Sequence, residues 1–238
     1  MERKHLILII LIIVSGIAYY QWTAETTTTN TQVQVTRIVD GDTIEIILNN
    51  VTEKVRLKGI NTPERSMPAY SEAKNFLANL IDNRTIGLEN HGRDKYGRIL
   101  GYIYLNNKNI NQKILEEGLG TFYYYEEDPH YDDLKKSEAR ARESEIGIWA
   151  PSPMKGCIEL TKLQYEEEGG RCIDGEKLIL ENSCPPIKTI IKDDATHIYK
   201  ENIPTGTWEK SFSCIWNDAG DTVYIWDEEG GLLLFWRY

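Results

Sequence analysis

The stretch Thr36–Glu64 reads TRIVDGDTIEIILNNVTEKVRLKGINTPE, and its spacing decides how the first half of the chain is read. Ile44 and Ile46 alternate with Glu45, and Val55 and Leu57 alternate with Arg56 and Lys58. That is the period-two pattern of half-buried strands. Strands are expected over Ile44–Leu48 and Lys54–Ile60, with Asn49-Asn50 as the hairpin turn between them. Asp42, Arg56, Asn61 and Glu64 then fall on or beside those strands. Oxygen donors such as Asp and Asn suit a hard cation. Arginine's planar fork grips a phosphate through two parallel hydrogen bonds. A small sheet that gathers both kinds of group suits the holding of a cation against a phosphate.

Working outward, Asp94–Arg98 (DKYGR) supplies a second arginine behind a tight turn. Upstream, Val33, Val35 and the Ile38-Val39 pair are strand-like. Downstream, Ala73, Phe76, Leu77, Leu80 and Ile81 line one face of a helix over Ser71–Ile81. Thr85–Glu89 and Ile99–Leu105 read as two more strands. Helices follow over about Asn109–Glu117, closed by Gly118, and Asp132–Glu145, stopped by Gly147. Five strands with a helix among them match a closed five-stranded barrel.

Three motifs in order, DGDT at Asp40–Thr43, Arg56 ahead of INTPE at Ile60–Glu64, and DKYGR, resemble the staphylococcal nuclease (thermonuclease) family. The likeness runs to about Trp149 and implies a mainly β fold with helices, an OB-fold barrel over residues 32–150. It also implies a hydrolase, an endonuclease that cuts phosphodiester bonds of DNA and/or RNA. The resemblance assigns Asp42, Asn61 and the main-chain carbonyl of Thr62 as ligands of Ca²⁺. Asn61 stands where the best-known family member has Asp, which removes one negative charge from the site. Glu64 is implied to activate the attacking water, as general base or by orienting it. Arg56 and Arg98 are implied to hold the phosphate and to stabilise charge in the transition state. Tyr96 and Tyr124 match positions that contact the nucleotide, with Lys95 beside them, whereas Thr121 and Glu126 replace a family lysine and tyrosine. The competing reading is a noncatalytic nucleic-acid-binding or cell-surface structural protein on the same fold. A retired nuclease would be free to lose Arg56, Glu64 or Arg98, and all three are present.

Charge bounds how nucleic acid is met. The net charge is −10, with 16 basic and 19 acidic side chains in residues 31–150 and 9 and 16 in residues 151–238. The overall field repels a polyanion, so attraction has to be local to the site.

At the N-terminus, Arg3, Lys4 and His5 precede an apolar segment, Leu6–Trp22. Residues 1–22 read as a signal anchor or a cleaved signal peptide, and either places the remainder outside the cytoplasm, membrane-anchored or secreted. Residues 23–31 form a threonine-rich tether. Residues 151–156, with Pro151-Ser152-Pro153, read as a linker. Beyond it, apolar runs recur at Ile158–Leu163, Lys177–Leu180, Lys188–Ile191, Ser211–Trp216, Val223–Trp226 and Leu232–Trp236. Gly, Pro, Asn and Asp clusters divide them, which argues an antiparallel sandwich over residues 157–238. The run Ile215–Tyr224 followed by Asp227–Gly231 is similar to the lamin-tail domain, which implies an immunoglobulin-like sandwich. All four cysteines, Cys157, Cys172, Cys184 and Cys214, lie there without metal-ligand spacing. They read as two disulfides in one of three connectivities, or as buried thiols. Glu166-Glu167-Glu168 argues against a DNA-binding face, so another surface component is the expected partner of this part. Oligomeric state is not legible.

Overall fold

Alternation and turn chemistry build the barrel. The computed structural model describes residues 30–123, 128–165, 167–168, 171–172, 176–213, 215–216 and 220–238. β1 (Thr31–Ile38), β2 (Thr43–Leu48) and β3 (Val51–Leu57) form a meander whose buried side chains include Val33, Val35, Ile44, Ile46, Val55 and Leu57. Asn49 and Asn50 join β2 to β3 at φ 52° and 63°. Two successive left-handed residues give the mirror-image turn whose twist matches the flanking strands. β4 (Ile60–Asn61) continues past a break at Lys58-Gly59. β5 (Thr85–Arg93) outruns the expected Thr85–Glu89, and a register shift between Asn90 and Arg93 bends it toward β6 (Ile99–Leu105). The sheet order β3-β2-β1-β5-β6 closes on itself through a parallel β3–β6 pairing. This is a five-stranded, OB-like barrel, as the sequence led us to expect. β7 (Lys108–Asn109) extends it by a short hairpin.

Helices cover the barrel. α1 (Tyr70–Ile81) buries Ala73, Leu77 and Ile81, with Phe76 and Leu80 packed beside them. α2 (Ile110–Glu116) is capped by Asn109, whose side chain accepts from the Gln112 N–H. The fully buried Asn111 joins both sides of the seam: its Oδ1 accepts from Ile103 N, and its Nδ2 donates to the carbonyls of Lys58 and Gly101. β8 (Thr121–Phe122) pairs with β4. α3 (Tyr131–Glu143) and a 3₁₀ turn at Gly147–Trp149 complete this half.

The second half is two facing sheets. β9 (Ile158–Gln164), β12 (Glu176–Asn182) and β15 (Gly206–Phe212) form one, in the order β15-β12-β9. β13 (Ile187–Lys192), β14 (Ile198–Ile203), β16 (Thr222–Asp227) and β17 (Leu232–Arg237) form the other, in the order β14-β13-β16-β17. A small ribbon, β10 (Glu167–Glu168) with β11 (Arg171–Cys172), lies between β9 and β12 in the chain. Leu178, Leu180 and Phe212 from the first sheet meet Ile187, Ile191, Val223, Ile225 and Leu233 from the second in one core.

The second sheet is covered on both faces. Ile190, Tyr224 and Trp226 on its outer face pack with Ala141, Ile148 and Trp149 of the first half. The expected linker is not a free tether. Leu232 N donates to Ala150 O at 2.8 Å and Ser152 N donates to Leu232 O at 3.0 Å, which zips 150–152 alongside β17. Arg237 reaches from β17 to Glu138 of α3 in a two-point ion pair (2.8 and 3.0 Å), and Trp226 Nε1 donates to Ile148 O.

Cys157 and Cys184 form a disulfide with Cα atoms 5.4 Å apart and a sequence separation of 27. Cys214 lies outside the described residues, as does the side chain of Cys172. So do the N-terminal segment Leu6–Trp22 and most of the tether. Among the described residues no helix is long and apolar enough to cross a membrane. Replacing Cys157 and Cys184 together with Ser should lower unfolding stability by about 2–4 kcal/mol through lost constraint on the unfolded chain. Urea titration of the variant against the parent checks it.

Candidate active site

The site grows from one close approach. Gly41 sits between Asp40 and Asp42, and a Cβ there would lie 2.7 Å from Thr62 Oγ1 and 2.9 Å from Ala73 Cβ. Without that carbon Thr62 can reach Asp42. Asp42 Oδ2 accepts from Thr62 N (2.9 Å) and Thr62 Oγ1 (3.0 Å), and Oδ1 accepts from Thr43 Oγ1 (3.1 Å). Arg56 Nη1 adds an ion pair to Oδ1 at 3.2 Å. Asp42 is thus buried and held by groups from three chain segments.

Arg56 lies opposite Thr43 in the β2–β3 register and opposite Leu100 in the β3–β6 seam. Its Nη1 also donates to Leu57 O at 2.8 Å, and its Nη2 donates to Asn61 Oδ1. Asn61, implied by sequence to be a metal ligand, has its amide engaged at both ends. Its oxygen accepts from Arg56, and its Nδ2 donates 2.7 Å to the main-chain carbonyl of Asp194 in the C-terminal half. Thr62 is buried beside it.

The seam brings Arg98 close to Arg56, because Arg98 lies two residues before Leu100. Asp94 shapes the turn: its carboxylate accepts from Tyr96 N, Arg98 N and Arg98 Nε, each within 2.7–2.9 Å. Among the described residues the two terminal nitrogens of Arg98 make no protein hydrogen bond, so they remain available to a phosphate. Tyr96 is 72% exposed, with Lys95 Nζ 5.1 Å and Arg98 Cζ 5.5 Å from its ring centre. Glu64 is exposed just past Pro63. Tyr124 and Glu126 lie outside the described residues. Thr121 is buried, with its hydroxyl toward Asn61 O. The structure therefore joins Asp42, Arg56, Asn61 and Thr62 in one network, with Arg98 nearby and Tyr96 and Lys95 on the rim.

The staphylococcal nuclease homologue family matches residues 54–151. Over 144 residues the chain is 36% identical to the SPbeta prophage-derived endonuclease YokF of Bacillus subtilis, covering 53% of this chain and 49% of that one. It is 34% identical over 144 residues to endonuclease YncB of the same organism, covering 53% and 68%. A thermonuclease of Staphylococcus intermedius is 35% identical over 124 residues, covering 48% and 74%. The chain belongs to the staphylococcal nuclease homologue family. It spans about half the length of YokF, and the family match ends where the sandwich begins.

This staphylococcal nuclease homologue carries site features outside the matched span that its sequence did not reveal. Lys192, at the end of β13, is 4% exposed and donates from Nζ to Asp193 O (2.9 Å) and Ala195 O (2.6 Å). Burial pushes its pKa down, while the charges of Asp193, Asp194, Glu64 and Asp221 oppose the shift. Asp193 accepts from His197 N at 3.0 Å and pairs with His197 Nδ1 at 2.5 Å. A cavity of about 340 Å³ runs between the halves, lined by Asn61, Pro63, Glu72, Lys192, Trp226 and Glu229 among others. Only the unbroken apolar run Val223–Trp226 hinted that a second surface had to cover this sheet.

Among the described residues no group of three His, Cys, Asp or Glu side chains is arranged around a metal. The donor set of the homologue still suits a hard cation. Asp40 and Asp42 are adjacent carboxylates, and burial together with the Asp42 charge pushes Asp40 up to about 6. A cation between them would relieve that repulsion.

Burial, with Asp221 and then Asp193 beside it, pushes the Asp194 carboxyl up to about 7. A raised carboxyl favours the folded state when protonated, so its contribution is complete below the unfolded value near 3.8 and is lost as pH rises through about 7. Asp194→Asn mimics the protonated form at every pH. Its thermal midpoint should fall less than the parent's between pH 4.5 and 7.5, and melting curves across that range check it.

Proposed function

We propose that this chain is a metal-dependent nuclease, using Ca²⁺ to hydrolyse phosphodiester bonds of DNA, RNA or both outside the cytoplasm. The observation that carries the reading is the Asp42–Arg56 ion pair at the seam where the barrel closes, with Arg98 two residues before Leu100, the neighbour of Arg56 across that seam. Relatives bearing the names endonuclease and thermonuclease support it.

In this reading Arg98, with its terminal nitrogens uncommitted, takes the phosphate in a forked grip, and Arg56 supports it from the β3 side. Both lower the cost of charge that develops on the phosphoryl oxygens. Glu64, exposed beside Pro63, orients and deprotonates the attacking water. Tyr96 offers a ring on which a base stacks without sequence preference, and Lys95 adds positive charge at the rim. Asp42, Asp40 and the Thr62 carbonyl would hold the cation, whose chemistry is that of a Lewis acid on the phosphoryl oxygen. Asn61 is better used holding Arg56.

The N-terminal segment, as anchor or cleaved signal, would deliver the enzyme to a calcium-rich exterior, and the disulfide suits that compartment. The lamin-tail-like identity of residues 157–238 and a surface partner for them belong to the same proposal. A noncatalytic nucleic-acid binder is the alternative, and cleavage of plasmid and single-stranded substrates with and without Ca²⁺ separates the two. Binding without any cleavage product would favour the alternative.

Arg98→Ala should lower turnover roughly 10²–10³-fold, as loss of one transition-state donor does. Steady-state cleavage by the variant checks it, and near-parental turnover would remove Arg98 from the mechanism. Ca²⁺ at 100 times its Kd should stabilise the fold by roughly 2.7 kcal/mol if it binds the native state alone. The thermal midpoint with Ca²⁺ against chelator reads this directly, and Asp40→Asn should shrink the difference.

A further inference from the structure

The sandwich places one peptide group against the phosphate-binding network. Asp194 donates its N–H to Asp221 Oδ1 at 3.1 Å, and its carbonyl accepts from Asn61 Nδ2 at 2.7 Å. The turn carrying it is fixed from within. Lys192 Nζ spans the carbonyls of Asp193 and Ala195, and the Asp193 carboxylate holds the main chain and ring of His197. Lys192, Asp193 and Asp221 are all buried, so water offers them little alternative pairing.

An amide side chain has distinct ends, one donor and one acceptor. Because Asp194 takes the donor, Asn61 must present its oxygen to Arg56 Nη2. Arg56 is then held by three acceptors: Leu57 O, Asp42 Oδ1 and Asn61 Oδ1. Two belong to the barrel, and the third owes its orientation to the sandwich.

We propose that the Asp194 carbonyl is a positioning group of the active site, through which the C-terminal sandwich sets the orientation of Arg56 by way of Asn61. The inference rests on the nuclease reading above. It also accounts for the amide at position 61. A carboxylate there would set oxygen against oxygen at Asp194 and bring a negative charge to an acidic turn. Asn61, one of the residues that depart from the family pattern, is also one that the sandwich touches.

The test is a double-mutant cycle on the full chain, cutting a fluorescently quenched DNA oligonucleotide in Ca²⁺. Asn61→Ala should lower kcat about tenfold with little change in KM, the loss of one charge-assisted hydrogen bond. In an Arg56→Lys background the same substitution should cost less than twofold, because the group it orients is gone. An equal tenfold loss in both backgrounds would overturn the proposal. A readout independent of activity is amide exchange over residues 193–197 in Asn61→Asp. Exchange should speed up at least tenfold as the Asp194 contact is lost, and unchanged protection would overturn the proposal by itself. A parent protein that cuts nothing refutes the nuclease reading instead, and the exchange result still decides whether position 61 couples to the sandwich.

Discussion

Asn111 is the constraint on which the rest depends. A barrel of five strands closes only if its first and last members meet as parallel neighbours, and here that seam is three residue pairs long. So short a ladder gains from help. Asn111 supplies it from inside, taking the Ile103 N–H and giving both amide protons to carbonyls on the two sides of the seam. A buried backbone group left without a partner costs about 1–3 kcal/mol. The same seam sets Arg56 beside the strand that Arg98 leads into, so the placing of the two arginines and the closure of the barrel are one geometric event.

The second level of order is a sheet with no solvent-facing side. In β16 every residue from Thr222 to Asp227 is buried. One face belongs to the sandwich core, and the other takes Ile148, Trp149 and Ala141 from the nuclease half. Glu138 would be an expensive charge in that interface, but Arg237 pairs with both its oxygens and Phe122 N donates to one of them. Breaking such a pair by removing one partner costs about 3–5 kcal/mol, whereas forming it adds little net stability. The pair joins α3 to β17, and the same docked arrangement sets Asp194 against Asn61.

Much of this was legible beforehand where local rules act alone. Ile99–Leu105 is a strand with the bounds its pattern gave, and the Asn49-Asn50 turn has the backbone its residues favour. The sandwich was read less well. β14 shows no strand signal because Lys200, Glu201 and Asn202 break up its apolar pattern, as an edge strand allows. The apolar run around Phe212 marks only the end of β15, whose pairing with β12 begins at Gly206. At the site, Asp42 and Arg56 were legible through motif spacing. Asp194 was not, since it meets Asn61 through a main-chain carbonyl that every residue possesses. Nor could pattern show that Pro151-Ser152 would run along β17, because that contact joins segments some eighty residues apart.

The shared sheet has a consequence for how the chain is made. Synthesis delivers the barrel, α3 and Trp149 well before β16 and β17, which contribute the other side of their interface. A nascent chain therefore carries a bare apolar strip, and a Glu138 that still lacks Arg237, until β16 and β17 emerge. The barrel's core can assemble from its own strands, yet the Asn61 amide gains its acceptor only when the Asp194 turn arrives. Folding of the first half is thereby tied to synthesis of the second: a ribosome-bound barrel lacks the partners that β16 and β17 bring to Trp149 and Glu138.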